Sequence, residues 1–314
     1  MHTDRNQTSE RLVLAIVGPT GVGKTDLAED VATHVGAEII SADAMQVYRG
    51  MDIGTAKPPL RARRVPYHCV DLVEPGDTYS AALFQRDARA AIGSCQERGS
   101  VPLLCGGTGL YVRAALDDFK FPEGEQSDDP VRLRYEQLAD AEGGTALYEL
   151  LMHRDPASAG LIHPHNTRRV VRALEMLDSG TSYATHSVGF ARRESVYASR
   201  YLGLTMERAA LYERIESRVD AMITSGLVDE VAGLLARGFR DALTASQAIG
   251  YKELVPVLEG ESDLEDAIEA IKRATRRYAK RQLTWFRADP RVRWIDVTTA
   301  SPSERLEKAL EALR

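Results

Sequence analysis

RLVLAIVGPTGVGKT, residues 11–25, is the segment from which the architecture of this chain can be read. Its first part, RLVLAIV, is a short apolar run that predicts a buried β-strand. Its second part, GPTGVGKT, matches the pattern G-x-x-x-x-G-K-T, and the amphipathic run DLAEDVATHV follows it. An apolar strand before this pattern and a helix after it favour a phosphate-binding loop over a chance glycine-rich turn.

The residue types in this loop suit a bound diphosphate. Glycines let backbone amides curl around phosphate oxygens, and the following helix presents its positive N-terminus to them. Lys24 adds a mobile positive charge, and the Thr25 hydroxyl can hold Mg²⁺, the cofactor that we expect. The predicted diphosphate- or nucleotide-binding residues are Gly18, Pro19, Thr20, Gly21, Val22, Gly23, Lys24 and Thr25. Because such a loop grips any diphosphate, it does not identify the reaction.

Strand-like and helix-like segments alternate along much of the chain. Further strand candidates are AEIISAD (37–43), HCVDLV (68–73), VPLLCGG (101–107), YLGLT (201–205) and VRWIDV (292–297). Strands that alternate with helices indicate a parallel sheet covered on both faces. The predicted fold class is therefore α/β, with a P-loop NTPase-like parallel sheet flanked by helices.

One long segment departs from this alternation. Between residues 121 and 200 the strand signals stop and helical patterns dominate, beginning with the acidic, linker-like PEGEQSDDP. We predict a core domain formed by residues 1–120 together with 201–314, and a mostly α-helical insertion domain at 121–200.

Bulk composition indicates a folded, cytoplasmic protein with one strongly basic segment. The net charge is −6, yet IKRATRRYAKRQLTWFR (271–287) carries seven basic residues and no acid, which favours a local polyanion contact. Its aromatic residues Tyr278, Trp285 and Phe286 are interpreted as core anchors rather than base-stacking platforms. The widely spaced cysteines imply neither a disulfide framework nor a zinc site. We expect no membrane-spanning segment, because no apolar run approaches about 18 residues.

Asp43 is the acid that ends the second predicted strand. The carboxyl ends of parallel strands line the ligand crevice, so Asp43 should face the bound phosphate. Its carboxylate could bind Mg²⁺, accept a proton from an attacking nucleophile, or serve only as a helix cap or solvated turn residue.

Several ordered blocks resemble the tRNA dimethylallyltransferase family. Besides GPTGVGKT, they are SADAMQVYRGMDIGTAKP (41–58), GGTGLYVRA (106–114), NTRRVVRALEM (166–176), QAIGYKE (247–253) and ATRRYAKRQLTWFR (274–287). The resemblance runs from about Leu12 to Trp294. MDIGTAKP and AKRQLTWFR are distinctive of this family among phosphate-loop proteins.

The resemblance implies transfer of a dimethylallyl group from dimethylallyl diphosphate to N6 of the adenosine 3′-adjacent to the anticodon. The substrates would be tRNAs that read codons beginning with U, and diphosphate would be released. Asp43 matches the family's general base, and Lys24 and Thr25 match residues near the leaving group. Arg218 matches the arginine at the donor site. Arg214, one helical turn earlier, is the rival candidate, and a solvated helix face is the alternative for both.

By the same resemblance, a larger set of residues contacts the tRNA anticodon stem-loop: Asp43, Ala44, Met45, Gln46, Thr108, Arg132, Arg168, Arg169, Val170, Val171, Arg172, Gln247, Ala248, Ile249, Gly250, Tyr251 and Lys252. For the arginines, a salt-bridged helix face is the alternative. Ala44 stands where the family often has serine, so one hydroxyl near the base is missing. The target base must leave its stack to react, and we expect it to be flipped into a channel of a monomeric enzyme.

Two other functional classes are open at this point. An ATP-dependent small-molecule kinase would share the strand, loop and helix around GPTGVGKT. A non-catalytic RNA-binding protein could use a nucleotide only as a switch. His163 and His165 in IHPHN are assigned no metal, because further ligands are missing.

Overall fold

The computed structural model describes residues 12–121, 130–191 and 193–314, and the side chains of 188–191 are not described. Arg11, the first residue of the expected opening strand, lies outside these ranges. The expected linker PEGEQSDDP also lies outside them, apart from Pro130.

The described strands form one parallel sheet of six strands in the order β3-β2-β4-β1-β5-β6. The strands are β1 Leu12–Val17, β2 Ala37–Ser41, β3 Tyr67–His68, β4 Val101–Gly106, β5 Ala198–Thr205 and β6 Val292–Asp296. This sheet, flanked by helices, confirms the predicted fold class.

Helices connect the strands and form the rest of the described structure. They are α1 Lys24–Val35, α2 Ala81–Glu97, α3 Gly109–Leu116, α4 Pro130–Glu142, α5 Gly144–Arg154, α6 Pro156–Ala159, α7 Thr167–Asp178, α8 Tyr183–Ala191, α9 Arg208–Thr224, α10 Leu227–Leu235, α11 Val255–Leu258, α12 Leu264–Arg287 and α13 Pro302–Ala312. Short 3₁₀ turns lie at Leu60–Ala62 and Ala245–Gln247.

The chain divides into two compact units. The first comprises the described residues up to Leu116 together with Ser195–Arg314, and the second is Asp117–Glu194. These borders differ by a few residues from the expected 120/121 and 200/201. The later border moves because β5 begins at Ala198, and residues 198–200 already pair with β1.

Both faces of the sheet are buried, which explains the uninterrupted apolar run of β1. Val13, Ala15 and Val17 join one apolar cluster, whereas Leu14 and Ile16 join another. A strand covered on both faces needs apolar residues at consecutive positions rather than at alternate ones. Because all six strands are parallel, the loops after β1, β2 and β4 lie at the same edge of the sheet.

Candidate active site

The phosphate loop follows β1 at this edge and depends on its glycines. Gly18, Gly21 and Gly23 have φ of 148°, 83° and 93°, which side-chain-bearing residues rarely adopt. A Cβ on Gly18 would lie 2.8 Å from the carbonyl oxygen of Leu204. Helix α1 begins immediately afterwards at Lys24. The loop therefore has the backbone that allows amides to turn towards an anion at a helix N-terminus.

Lys24 lies within the curve of this loop. Its Nζ donates to the carbonyl oxygen of Pro19 at 2.8 Å. Burial of the ammonium group lowers the pKa of Lys24 to about 8, although the negative charge of Asp43 acts in the opposite direction. Lys24 is thus a cation whose charge is sensitive to the arrival of an anion.

A buried glutamine fixes the outer side of the loop. The backbone N–H of Thr20 donates to Oε1 of Gln282 at 2.8 Å, and Nε2 of Gln282 donates to the carbonyl of Gly107 at 3.0 Å. Helix α12 therefore ties the phosphate loop to the end of β4. The sequence analysis missed Gln282. The available signal was its spacing from Ala279 and Phe286, which puts this polar residue on the buried face of the helix.

The loop opens onto a cavity of about 870 Å³, called here the phosphate cavity. Thr20, Gly21, Gly23, Lys24 and Thr25 line it. Gly18, Pro19 and Val22, which were also predicted as binding residues, are buried and do not line it. Their contribution is the shape of the loop rather than side-chain contact.

A second cavity, of about 450 Å³, adjoins the phosphate cavity. Its lining includes all of the residues predicted between 247 and 252, together with Asp43, Ala44 and Met45. Both cavities are lined by Thr20, Asp43, Thr55, Arg218 and Tyr278, which form what we call the shared wall. The structure thus brings together segments that are some 200 residues apart in sequence.

Asp43 lies on the shared wall in a turn directly after β2. Its Oδ1 accepts the backbone N–H of Met45 at 2.9 Å, so the turn role considered from the sequence is present. The Thr108 hydroxyl accepts the N–H of Ala44 at 3.1 Å and holds this turn against the segment that follows β4. Gln46 lines the phosphate cavity and accepts the Ser41 hydroxyl at 2.7 Å. Asp43 therefore combines a backbone held in place by these hydrogen bonds with a position that borders both cavities.

The two candidate arginines differ in position. Arg218 on α9 lies on the shared wall, whereas Arg214 is exposed and lines the phosphate cavity only. Burial lowers the pKa of Arg218, while Asp43 acts to raise it. Arg218 is consequently the cation placed where the two cavities meet.

The interpretation of Tyr278 as a core anchor was wrong. Phe286 is buried, but Tyr278 lies on the shared wall and Trp285 is 39% exposed. Burial, followed by the charge of Asp43, raises the pKa of Tyr278 to about 12. Regular helical spacing reveals the buried face of a helix, and it does not reveal that part of that face borders a cavity.

Four of the seven basic residues of α12 fall into two groups. Lys272 pairs with Asp220 at 2.7 Å, and Arg276 pairs with Glu216. Arg277 and Arg281 line the second cavity and are exposed. The second group is therefore the better candidate for contact with a polyanion.

In the second unit, the predicted RNA-contacting residues have different surroundings. Arg168 and Arg169 are exposed at the start of α7. Arg132 pairs with Glu136 at 2.8 Å, and Arg172 pairs with Glu175 at 3.1 Å, as the salt-bridge alternative describes. Val170 and Val171 are buried in the apolar core of this unit, so their side chains serve packing and cannot contact RNA.

The oxygen atoms around the phosphate cavity fit Mg²⁺. Glu29 lines it, but its carboxylate accepts Nε of Arg64 at 2.9 Å and the Tyr67 hydroxyl at 3.0 Å. Thr25, Asp26 and Asp43 also line it and offer hydroxyl and carboxylate oxygens, the ligand type that Mg²⁺ prefers. Thr25 is the predicted metal residue among them.

Another cluster has metal-ligand chemistry but is already ion-paired. Glu38, His68 and Cys95 lie together within the described part of the chain. Arg98 donates to both oxygens of Glu38, at 3.2 and 2.7 Å, and holds the pKa of that carboxyl at about 2. This cluster is therefore a charge network under α2.

A parallel sheet with a glycine-rich loop of P-loop sequence after its first strand gives the first unit the architecture of the P-loop class of proteins. The family model described as "IPP transferase" matches residues 46–289, and "Isopentenyl transferase" matches residues 11–63. The chain belongs to the IPP transferase family.

Similar proteins cover nearly the whole chain. A "tRNA dimethylallyltransferase" of Carboxydothermus hydrogenoformans is 48% identical over 97% of this chain and 96% of its own length. The crystal structure of a full-length tRNA isopentenylpyrophosphate transferase from Bacillus halodurans is 43% identical, with a TM-score of 0.70 and 97% of each chain covered. A eukaryotic dimethylallyltransferase acting on tRNA is 28% identical, with a TM-score of 0.81, and the match covers 96% of this chain and 78% of that one. None of the helices in the described part of the chain combines the length and the hydrophobicity that a transmembrane segment needs.

Proposed function

We propose that this chain transfers the dimethylallyl group of dimethylallyl diphosphate to N6 of the adenosine 3′-adjacent to the anticodon, in tRNAs that read codons beginning with U. Family membership supports this activity. The observation that carries the mechanism is that two cavities, one built around the phosphate loop and one beside residues 247–252, share a wall containing Asp43 and Arg218.

The phosphate cavity holds the diphosphate of the donor. The loop amides and the N-terminus of α1 bind its oxygens, and Lys24 and Arg218 neutralise the negative charge that grows on the leaving group. Thr25 would hold Mg²⁺ that arrives with the diphosphate, and the metal would supply further charge neutralisation. With its diphosphate in this cavity, the donor directs its allylic carbon to the shared wall.

The second cavity receives the adenine. The N6 lone pair forms the new C–N bond while the allylic C–O bond breaks, and the electron pair of that bond leaves with the diphosphate. The Asp43 carboxylate takes the proton that N6 loses, acting as a general base from the shared wall. The reaction thus needs one group that reaches both cavities, and Asp43 has that position.

The partner on this side is tRNA. Bases in a loop leave their stack at lower cost than bases in a duplex, which favours the anticodon loop as the target. Positive charge for the tRNA phosphates comes from Arg277, Arg281 and Lys252, which line the second cavity. Arg168 and Arg169 provide exposed positive charge on the second unit.

The activity is tested by incubating the purified protein and Mg²⁺ with unmodified tRNA and radiolabelled dimethylallyl diphosphate. Label should enter the tRNA at the adenosine beside the anticodon, with or without ATP. In a parallel reaction with ATP and candidate small-molecule acceptors, no ADP should accumulate. Formation of ADP without labelled RNA would favour the small-molecule kinase instead, and no turnover with either donor would favour the nucleotide switch.

A further inference from the structure

Residues 52–54 lie at the start of a turn, and a carboxylate from a helix distant in sequence holds them. Glu230 on α10 accepts the backbone N–H groups of Asp52, Ile53 and Gly54 at 3.1, 2.8 and 3.3 Å. Successive amides that converge on one anion form a nest, a geometry normally seen around bound phosphates and carboxylates. Here the anion belongs to the protein, which fixes the path of the turn.

The same carboxylate is bound from the other side by Tyr251. The Tyr251 hydroxyl donates to Glu230 Oε1 at 2.6 Å. The Tyr251 ring lies against Gly54, where a Cβ would be only 2.4 Å from a ring carbon. Burial, followed by the charge of Glu230, raises the pKa of Tyr251, so its hydroxyl stays protonated as a donor. Tyr251 and the turn are thus packed and hydrogen-bonded as one unit around Glu230.

This unit connects the walls of the two cavities. Tyr251 and Gly54 line the second cavity, and Thr55, the next residue, lies on the shared wall. The carbonyl of Thr55 accepts Nε2 of Gln46 at 3.3 Å, and Gln46 lines the phosphate cavity. Glu230 is not among the residues that line either cavity. Its contacts nevertheless hold Tyr251 and the backbone next to Thr55, which belong to the cavity walls.

We propose that Glu230 is a positioning residue for prenyl transfer. It holds Thr55 and Tyr251 in register, so that the adenine amine and the allylic carbon meet at the shared wall. This inference rests on the function proposed above. A displacement of about 1 Å between reacting groups can cost on the order of 100-fold in rate, so a residue outside the cavities can control the chemical step.

The test compares Glu230→Gln with Asp229→Asn, an acid-to-amide change at the exposed neighbouring residue of the same helix. Single-turnover transfer to tRNA and binding of inorganic diphosphate are measured on each variant, with thermal unfolding as the check of folding. We expect Glu230→Gln to slow the single-turnover rate by about tenfold or more. Its diphosphate affinity should stay within about twofold of wild type, because Glu230 does not line the phosphate cavity. Asp229→Asn should match wild type in all three measurements.

A second variant tests the route through Tyr251. Tyr251→Phe removes one hydroxyl and should slow the same rate by a smaller factor. In combination with Glu230→Gln it should add little, because both changes break one unit. If Glu230→Gln does not fold, Tyr251→Phe is the deciding variant. A slower transfer rate at unchanged diphosphate affinity supports the inference.

Three results would overturn this inference. The first is a wild-type rate of transfer in Glu230→Gln, or in Tyr251→Phe if Glu230→Gln is unfolded. The second is a loss of rate in Asp229→Asn as large as that in Glu230→Gln. The third is a loss of rate in Glu230→Gln that is fully matched by a loss of diphosphate binding. A wild-type protein that transferred no label would overturn the proposed function itself, and this inference with it. An active wild type with an unimpaired Glu230→Gln would overturn the inference alone.

Discussion

The phosphate cavity and the second cavity are built in different ways. Eight consecutive residues, Gly18 to Thr25, form the loop of the phosphate cavity, and three glycines with positive φ set its shape. The second is assembled from residues 43–45, residues 247–252 and helix α12, which meet only in the folded chain. A ligand that needs backbone amides can be held by one short motif, whereas a nucleobase needs walls from several elements. The shared wall, where Asp43 and Arg218 lie, belongs to both cavities, so its residues must be correctly placed for both ligands.

Asp43→Ala tests the shared wall and should have the largest effect. Loss of a general base commonly costs about 10²- to 10⁴-fold, so single-turnover transfer should fall in this range. Binding of tRNA and of inorganic diphosphate should each change by about twofold or less, because other residues supply most of the contacts. Asp43→Asn, which keeps the turn to Met45 but not the basicity, should be nearly as slow. A near-normal rate in Asp43→Asn would remove Asp43 from the proton transfer.

Lys24 should make ligand binding depend on pH in the phosphate cavity and not in the second cavity. Its pKa of about 8 in the free protein means that the ammonium is charged below pH 8 and neutral above it. Affinity for inorganic diphosphate should therefore fall as pH rises through about 8, by up to about tenfold. Arginine stays charged over this pH range, so Lys24→Arg should not show the fall in affinity near pH 8. This variant therefore separates titration of Lys24 from titration of the ligand. A step of the same size in Lys24→Arg would assign the titration elsewhere.

Gln282→Leu should weaken the phosphate cavity through its outer support. The change removes the acceptor of the Thr20 amide and the donor to Gly107 while it leaves a side chain of similar size. The buried carbonyl of Gly107 then lacks this donor, which costs about 1–3 kcal/mol in the free energy of unfolding, while the partly buried Thr20 amide loses its acceptor. Diphosphate affinity should fall by about tenfold or less, whereas tRNA binding should be little changed. Isothermal titration and thermal unfolding measure the two effects, and an unaltered Tm would contradict them.

Charge removal on α12 should affect ligand binding at the second cavity only. At physiological salt its effect should be the smallest of those predicted here. The combined change Arg277→Ala and Arg281→Ala should weaken tRNA binding and reduce the slope of log affinity against log salt by about 1–2. Arg276→Ala is the control, because Arg276 already pairs with Glu216. Its slope should stay close to that of wild type. Equal slopes in all three proteins would show that this side of α12 does not face the RNA.

The sequence predicted the parts of the site that depend on local backbone geometry. The loop of residues 18–25 needs only a strand, glycines and a helix in succession, and each of these has a local signature. Asp43 was found because the carboxyl ends of parallel strands meet at one edge. The roles proposed for individual residues came from the resemblance of ordered blocks, and they stay predictions until the variants above are measured.

Gln282 and Glu230 were not found from the sequence, and Tyr278 was assigned to the core rather than to a cavity. Gln282 contacts Thr20 and Gly107 from 262 and 175 residues away, and Glu230 contacts residues 52–54 from 176–178 residues away. The helical pattern of α12 marked a buried face, but not which of its residues border a cavity.

Strand, loop and helix formation follow from short-range sterics and hydrophobic period, so the amino-acid order of this chain specifies its parallel sheet and its phosphate loop. The meeting of the two cavities at Asp43 and Arg218 depends on long-range packing of α9 and α12 against the carboxyl edge of the sheet. Such packing is set by the complementary shapes of many side chains together, and no local segment carries that information.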